Sequence, residues 1–380
     1  MHLSPVLAEM ATYPFVRLEE AKRAVAARGV ELIDFGVGDP REATDPAIRR
    51  ALVDAVSERL GYPLAVGLPE LREAIAAWIG RRFGVDVDPE RELIPTLGSK
   101  EAIFSFAQLV LDRSSEKRLV VVGEPGYPVQ ERGALFAGGE VRHVPLLEET
   151  AFLPDLAAID FWDRIAVFWV NYPNNPTGAT APLALFDELA ERARRHDFLL
   201  CSDEAYSEIW FDEPPASALQ VRDRRNVVVF NTLSKRSSMT GYRSGFVAAE
   251  PELIAALRKF RPTVGTAPQE FVQRASIVAW SDEEHVERTR AIYRRKRDLI
   301  EPALRERGVE PAASRATFFL WLRVPAGESS ESFAARLLEH GLVVAPGSFF
   351  GRPGEGYARV ALVPDDAECV RAAAILRAVL

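Results

Sequence analysis

Lys235 lies in the run Asn231-Thr232-Leu233-Ser234-Lys235-Arg236-Ser237, directly after the apolar stretch Val227-Val228-Val229-Phe230. That stretch reads as a buried strand, so the lysine stands at its mouth. Burying an ammonium is costly. A desolvated lysine has a lowered pKa and becomes a usable amine nucleophile. The chain holds six lysines, and Lys22, Lys117, Lys259 and Lys296 sit among other charged residues, as on a solvated surface. Arginine supplies most of the remaining positive charge, and it stays protonated, so it forms no Schiff base at neutral pH. If the protein holds a carbonyl compound covalently, Lys235 is the residue for it.

Two more apolar stretches end in groups that could do chemistry. Asn171-Tyr172-Pro173-Asn174-Asn175-Pro176-Thr177-Gly178 follows a strand expected over 165–170. Ser202-Asp203-Glu204-Ala205-Tyr206 follows one expected over 198–202. Open α/β sheets bind ligands at the carboxyl ends of their strands. Three such ends here deliver an amide, a carboxylate with a phenol, and an amine. Thr96-Leu97-Gly98-Ser99-Lys100 opens a helix, whose free backbone N–H groups suit a phosphate. Arg243 follows Lys235 by eight residues and suits a bidentate phosphate contact.

The elements that must position these groups follow from periodicity and punctuation. Helices are expected at 17–28, 45–59, 69–83, 100–112 and 182–196, and strands at 118–122, 165–170, 198–202, 226–231 and 245–249. Alternating apolar strands and amphipathic helices predict a mostly parallel sheet with helices on both faces. Beyond about 250 the texture changes to an Arg-rich helix at 282–307, strands at 318–322, 342–345 and 357–363, and helices at 330–340 and 365–380. This reads as a separate α+β module.

Composition narrows the function class. A length of 380 residues favours two domains. A hydrophobic share of 48% with 27% charged residues describes an ordinary soluble globular protein. The net charge of −8 argues against nucleic acid or an anionic membrane as main partner. Cys201 and Cys369 form no framework, which suits a reducing cytoplasm, and Cys201 reads as buried filler. The five histidines show no zinc spacing, so no metal is expected. The N-terminus carries no signal-peptide pattern, and no run approaches the ~20 apolar residues of a membrane span.

Taken in order, the motifs resemble the class I/II aminotransferases, fold-type I enzymes that use pyridoxal 5′-phosphate (PLP). The ordered set carries the resemblance: 28 residues from Asn175 to Asp203, 32 to Lys235 and eight more to Arg243. It implies an α/β fold with a mostly parallel seven-stranded sheet between helices. The implied large PLP-binding domain spans 36–270, and the smaller α+β domain combines 1–35 with 271–380. Lys235 would hold PLP and, once freed, move the proton between substrate Cα and cofactor. Asp203 would keep the pyridine nitrogen protonated, making the ring an electron sink. Tyr206 and Asn175 would bond the phenolic oxygen, and Tyr127 would stack on the ring. Gly98, Ser99, the Lys100 backbone, Thr232, Ser234 and Arg243 would surround the phosphate, with the Lys100 side chain turned away from the aldehyde. Arg359, in Tyr357-Ala358-Arg359-Val360, would fork the substrate α-carboxylate, joined by the Gly38 N–H. Tyr62 would cross to the phosphate of a partner, making a homodimer with shared active sites.

Finer details are similar to the succinyldiaminopimelate aminotransferases: Gly61-Tyr62-Pro63-Leu64, Gly98-Ser99-Lys100-Glu101, Ser234-Lys235-Arg236-Ser237 and Ala345-Pro346-Gly347-Ser348-Phe349-Phe350-Gly351, where tyrosine is expected at Phe350. That resemblance implies glutamate as donor, N-succinyl-L,L-diaminopimelate as the other amine, and lysine biosynthesis as the setting. Arg17, Arg41 and Arg236 are then candidates for reading distal carboxylates. Alternatives are an aminotransferase for aspartate, alanine or underivatised diaminopimelate, and a C–S lyase. A PLP-sensing regulator would need a basic DNA-binding domain ahead of residue 35. A NAD-dependent dehydrogenase would need a Gly-x-Gly-x-x-Gly turn, which the early strands lack.

Overall fold

The computed structural model describes residues 3–9 and 14–380. Its helices are α1 (Pro5–Glu9), α2 (Pro14–Ala26), α3 (Pro46–Ala55), α4 (Pro69–Phe83), α5 (Ser99–Val110), α6 (Val129–Ala137), α7 (Leu183–His196), α8 (Leu233–Arg236), α9 (Pro251–Val264), α10 (Glu270–Ser281), α11 (Glu284–Arg305), α12 (Ser330–Glu339) and α13 (Asp366–Val379). Its first strands are β1 (Ile33–Asp34), β2 (Leu93–Thr96), β3 (Leu119–Glu124), β4 (Glu140–Pro145), β5 (Ile165–Asn171), β6 (Leu199–Asp203), β7 (Val227–Thr232) and β8 (Gly245–Ala249). The later ones are β9 (Pro311–Ala313), β10 (Phe319–Arg323), β11 (Leu342–Val343), β12 (Ala345–Pro346) and β13 (Tyr357–Ala361).

Seven strands form the main sheet in the order β2-β8-β7-β6-β5-β3-β4. β8 runs antiparallel to both neighbours; the other pairings are parallel. A parallel sheet is covered on both faces, so its strands read as continuous apolar runs. β7 shows the consequence. Val227 and Val229 face one core with Trp78, Phe186 and Trp280. Val228 and Phe230 face the other with Phe106, Trp169 and Ile254. Cys201 is buried in that second core as filler.

The later strands make a four-stranded sheet in the order β12-β13-β10-β9. Its core joins Phe318, Leu320 and Val360 to Ile300 and Leu304 of α11 and Leu376 of α13. Ile33 and Phe35 enter this same core, and β1 pairs in parallel with β11. Leu18 and Val25 of α2 pack on Leu338 and Val343. The N-terminal segment therefore rests on C-terminal elements, which carries Gly36–Asp39 across the carboxyl edge of the main sheet.

Sequence patterning left gaps. β2, β4, α6, α9 and α10 were not anticipated as elements. Lys296, expected at a solvated surface, is buried on α11, paired with Glu42 and within 3.4 Å of the Val363 carbonyl. Its flanking arginines suggested solvent, but one face of this helix packs inward.

Candidate active site

The carboxyl ends of β5, β6 and β7 meet at a cavity of ≈ 640 Å³. Asn171 closes β5 and organises two neighbours. Its amide Nδ2 donates to the Asp203 carbonyl at 2.9 Å, and its Oδ1 accepts the Asn175 N–H at 2.9 Å. Asp203 closes β6 and is buried. Among the described residues its carboxylate accepts two long bonds, from the Ala205 N–H at 3.3 Å and Gln130 Nε2 at 3.5 Å. Burial pushes its pKa up to about 7. A buried carboxylate held this loosely is poorly satisfied, and it could accept a protonated ring nitrogen.

Lys235 leaves the single-turn helix α8 just beyond β7. Its ammonium donates to the Gly38 carbonyl at 3.0 Å. The protein packed around it pushes its pKa down to about 8, and the nearby cations Arg359, Lys100 and Arg243 act in the same direction, while Asp39 opposes them. Tyr206 is buried edge-on against Phe318 and Phe319, with the Lys235 ammonium 5.9 Å from its ring centre.

One end of the cavity is built by α5 and the β7–β8 loop. Gly98 precedes α5 at φ +75°, and a side chain there would collide with the Arg243 guanidinium. Arg243 is held by the carbonyls of Thr240 (2.8 Å) and Leu97 (3.0 Å). The Thr232 hydroxyl caps α8 by accepting the Ser234 N–H, and lies 2.9 Å from the Ser234 hydroxyl. Helix N-terminal N–H groups, hydroxyls and a guanidinium together make an anion site.

Arg359 enters from β13, buried. Its Nη1 donates to Asn175 Oδ1 at 2.9 Å and its Nη2 to the Gly36 carbonyl at 2.8 Å. The guanidinium stands 4.3 Å from the Phe319 ring centre and 4.6 Å from that of Phe350. These contacts hold the fork rigid and offset its desolvation.

Of the residues singled out from sequence, Gly38, Ser99, Lys100, Tyr127, Asn175, Asp203, Tyr206, Thr232, Ser234, Lys235, Arg243 and Arg359 all line this cavity. Gly98 lies beneath Arg243. Tyr62 is elsewhere, wholly exposed to solvent. The Lys100 side chain has a place of its own. Its ammonium lies over the Tyr127 ring at 5.8 Å and acts on Lys235, so it belongs to the cavity wall.

The three arginines considered for distal carboxylates do not line the cavity. Arg17 is exposed on α2. Arg41 pairs with Glu368 at 3.5 Å. Arg236 is buried between Trp78 and Trp280 and bonded to Glu283 at 2.9 Å. Proximity to motif loops in sequence did not predict direction. Conversely Glu19, Asp39, Asn171, Phe319 and Phe350 line the cavity without having been assigned a role. Asn171 was legible as the strand-end amide; Glu19 arrives on α2 through tertiary packing and carried no local signal.

The sequence profile described as "Aminotransferase class I and II" matches residues 30–376. An LL-diaminopimelate aminotransferase of Nitratidesulfovibrio vulgaris is 43% identical over 374 residues, covering 96% of each chain. An aminotransferase from Neisseria meningitidis superposes with a TM-score of 0.93 at 38% identity over all of both chains. A probable N-succinyldiaminopimelate aminotransferase from Thermus thermophilus gives 0.89 at 32% identity, over 96% of this chain and 100% of that one.

Proposed function

The chain belongs to the class I and II aminotransferases, enzymes dependent on pyridoxal phosphate, and we propose that it exchanges the amino group of LL-diaminopimelate with 2-oxoglutarate in the cytoplasm, within lysine biosynthesis. The cavity wall carries this reading. The far end of LL-diaminopimelate is itself an amino acid, with one ammonium and one carboxylate. The wall offers Glu19 and Asp39 for the first and Lys100 for the second. A succinylated amine would replace the ammonium by a second carboxylate, and Arg17, Arg41 and Arg236 lie off the cavity. The name of the N. vulgaris relative supports the same choice.

The residues divide the work. Arg359 forks the α-carboxylate, helped by the Gly38 N–H. Lys235 Nζ, with its pKa near 8, holds the cofactor and then carries the Cα proton. Asp203 would pair with the ring nitrogen, Tyr206 and Asn175 with the ring oxygen, and Tyr127 with the ring face. Ser99, the Lys100 N–H, Thr232, Ser234 and Arg243 would hold the phosphate. Pyridoxal phosphate, when bound, supplies the sink for the electron pair left at Cα.

A homodimer belongs to this reading. Val53, Val56, Leu60, Tyr62 and Leu64 are all exposed within one stretch, an apolar surface of the kind that marks an interface. Tyr62 would then reach the partner's phosphate site.

Single-turnover absorbance of the PLP-loaded enzyme tests the substrate. Rapid conversion by glutamate and LL-diaminopimelate, with slow conversion by N-succinyl-L,L-diaminopimelate, aspartate and alanine, is expected. Preference for the succinyl compound would restore the alternative that the T. thermophilus neighbour suggests.

A further inference from the structure

Helix α8 holds only Leu233–Arg236, a single turn. One turn cannot stabilise itself in isolation, so tethers must fix the backbone that carries Lys235. On the N-terminal side the Thr232 cap does this. On the C-terminal side two consecutive residues reach the junction of α10 and α11. Arg236 donates to the Ala279 carbonyl at 2.8 Å and bonds Glu283 at 2.9 Å. Ser237 Oγ lies 2.8 Å from His285 Nε2, and His285 Nδ1 lies 2.7 Å from Asp282 Oδ2.

Serine, imidazole and carboxylate thus stand in the order of a hydrolytic triad, but they cannot act as one. Ser237 is 1% exposed, and none of the three lines the Lys235 cavity. The row has another use. Asp282 accepts from Nδ1, which places the imidazole proton there and leaves Nε2 to accept the Ser237 hydroxyl. Burial, with Arg236 beside it, holds the His285 pKa below its ordinary value and keeps the ring neutral. Asp282 is itself fixed by accepting the Glu284 N–H at 3.0 Å.

We propose that His285 is a positioning residue for Lys235. Through Ser237 it fixes the backbone from which the amine swings, and it sets that backbone by α11, the helix that enters the core of the second sheet through Tyr293, Ile300 and Leu304. The amine must travel between two atoms without losing its aim, and sub-ångström errors at such a step are expensive. The proposal rests on reading Lys235 as the reacting amine.

The test uses Ser237→Ala, His285→Asn, His285→Gln and the double variant S237A/H285N. Asparagine keeps a nitrogen near Asp282 but is too short for Ser237; glutamine restores an acceptor at the distance of Nε2. In the PLP-loaded enzyme S237A and H285N should each lower kcat with glutamate ~10-fold while KM stays within about twofold. The double variant should be no worse than either single, as for members of one chain, and H285Q should recover most of the loss. In the cofactor-free protein, reductive methylation of Lys235, read by peptide mass spectrometry, should quicken about threefold in S237A and H285N as the amine loses its hold on Gly38. Unchanged kcat and labelling with only a lowered Tm would overturn the proposal, as would additive losses or an H285Q no better than H285N. A wild-type enzyme that takes up no PLP would sink the reading of Lys235 itself, and the proposal with it.

Discussion

Arg359 and Asn175, 184 residues apart, share a hydrogen bond of 2.9 Å between guanidinium and amide oxygen. It ties the second sheet to the loop after β5. Arg359, proposed to fork the carboxylate, and Asn175, proposed to face the ring oxygen, are therefore coupled. Replacing Arg359 by lysine keeps the charge but loses the fork. R359K should lower kcat/KM for glutamate ~100-fold, mostly through KM. Steady-state kinetics with glutamate and LL-diaminopimelate checks this; equal kcat/KM in R359K would remove Arg359 from substrate binding.

Asp203 has a stability signature. Its pKa is about 7 in the folded protein against 3.8 ordinarily, because it is buried. Between those values the native state keeps a proton that the unfolded chain has released. Its contribution to the cofactor-free protein is therefore full below about pH 4 and lost as pH rises through 7. Asp203→Asn removes the charge, so above pH 7 the cofactor-free variant should melt ~5 °C higher than wild type. The same change should cost ~1000-fold in transamination if, as proposed, Asp203 is the partner of the ring nitrogen. Calorimetry against pH and a half-reaction assay measure the two effects, and a D203N protein that melts lower at pH 8 contradicts the first.

Selectivity should respond to the acids of the cavity wall. Asp39 is exposed at the rim, so its contribution is that of a solvated pair. Asp39 also acts on Lys235, so Asp39→Asn should touch both substrates, but the loss of kcat/KM for LL-diaminopimelate should exceed that for glutamate about fivefold. Glu19 also accepts from Lys22 at 2.5 Å, so E19Q should have the smaller effect. Equal losses on both substrates would mean that Asp39 shapes the loop rather than reads an ammonium.

Light scattering should report twice the chain mass. Leu64→Glu together with Val56→Glu should shift the protein to monomer and weaken PLP binding ~10-fold or more, because Tyr62 would leave the partner's site. Tyr62→Phe should keep the dimer and lose only part of that affinity. A monomeric wild-type protein with full activity would end the shared-site reading.

The chemistry was legible where local sequence sufficed. Strands buried on both faces leave unbroken runs such as Leu119–Val122 and Val227–Phe230, and the candidate residues Tyr127 and Lys235 come within one short loop or turn of those runs. β4 left no such run, because it is an edge strand and exposes Glu140 and His143. β2 is four residues long and interrupted by Pro95. Arg236 and Lys296 misled because a charged side chain's direction depends on partners far away: Glu283 and two tryptophans for the first, Glu42 for the second. Glu19 and His285 were silent for the same reason.

The reversed direction of β8 decides what a single loop can carry. Gly245 at its start lies level with Thr232 at the end of β7 and Thr96 at the end of β2. The chain therefore turns straight back over one rim of the sheet, and residues 233–244 never leave that rim. A forward-running strand would need a crossover of a dozen or more residues to the opposite rim before it began, and Arg243, two residues before the strand, would be stranded there. Hairpin-like return is what lets Lys235 and Arg243 come from one short segment, so that a shift of that segment would displace the proposed amine and anion contacts together.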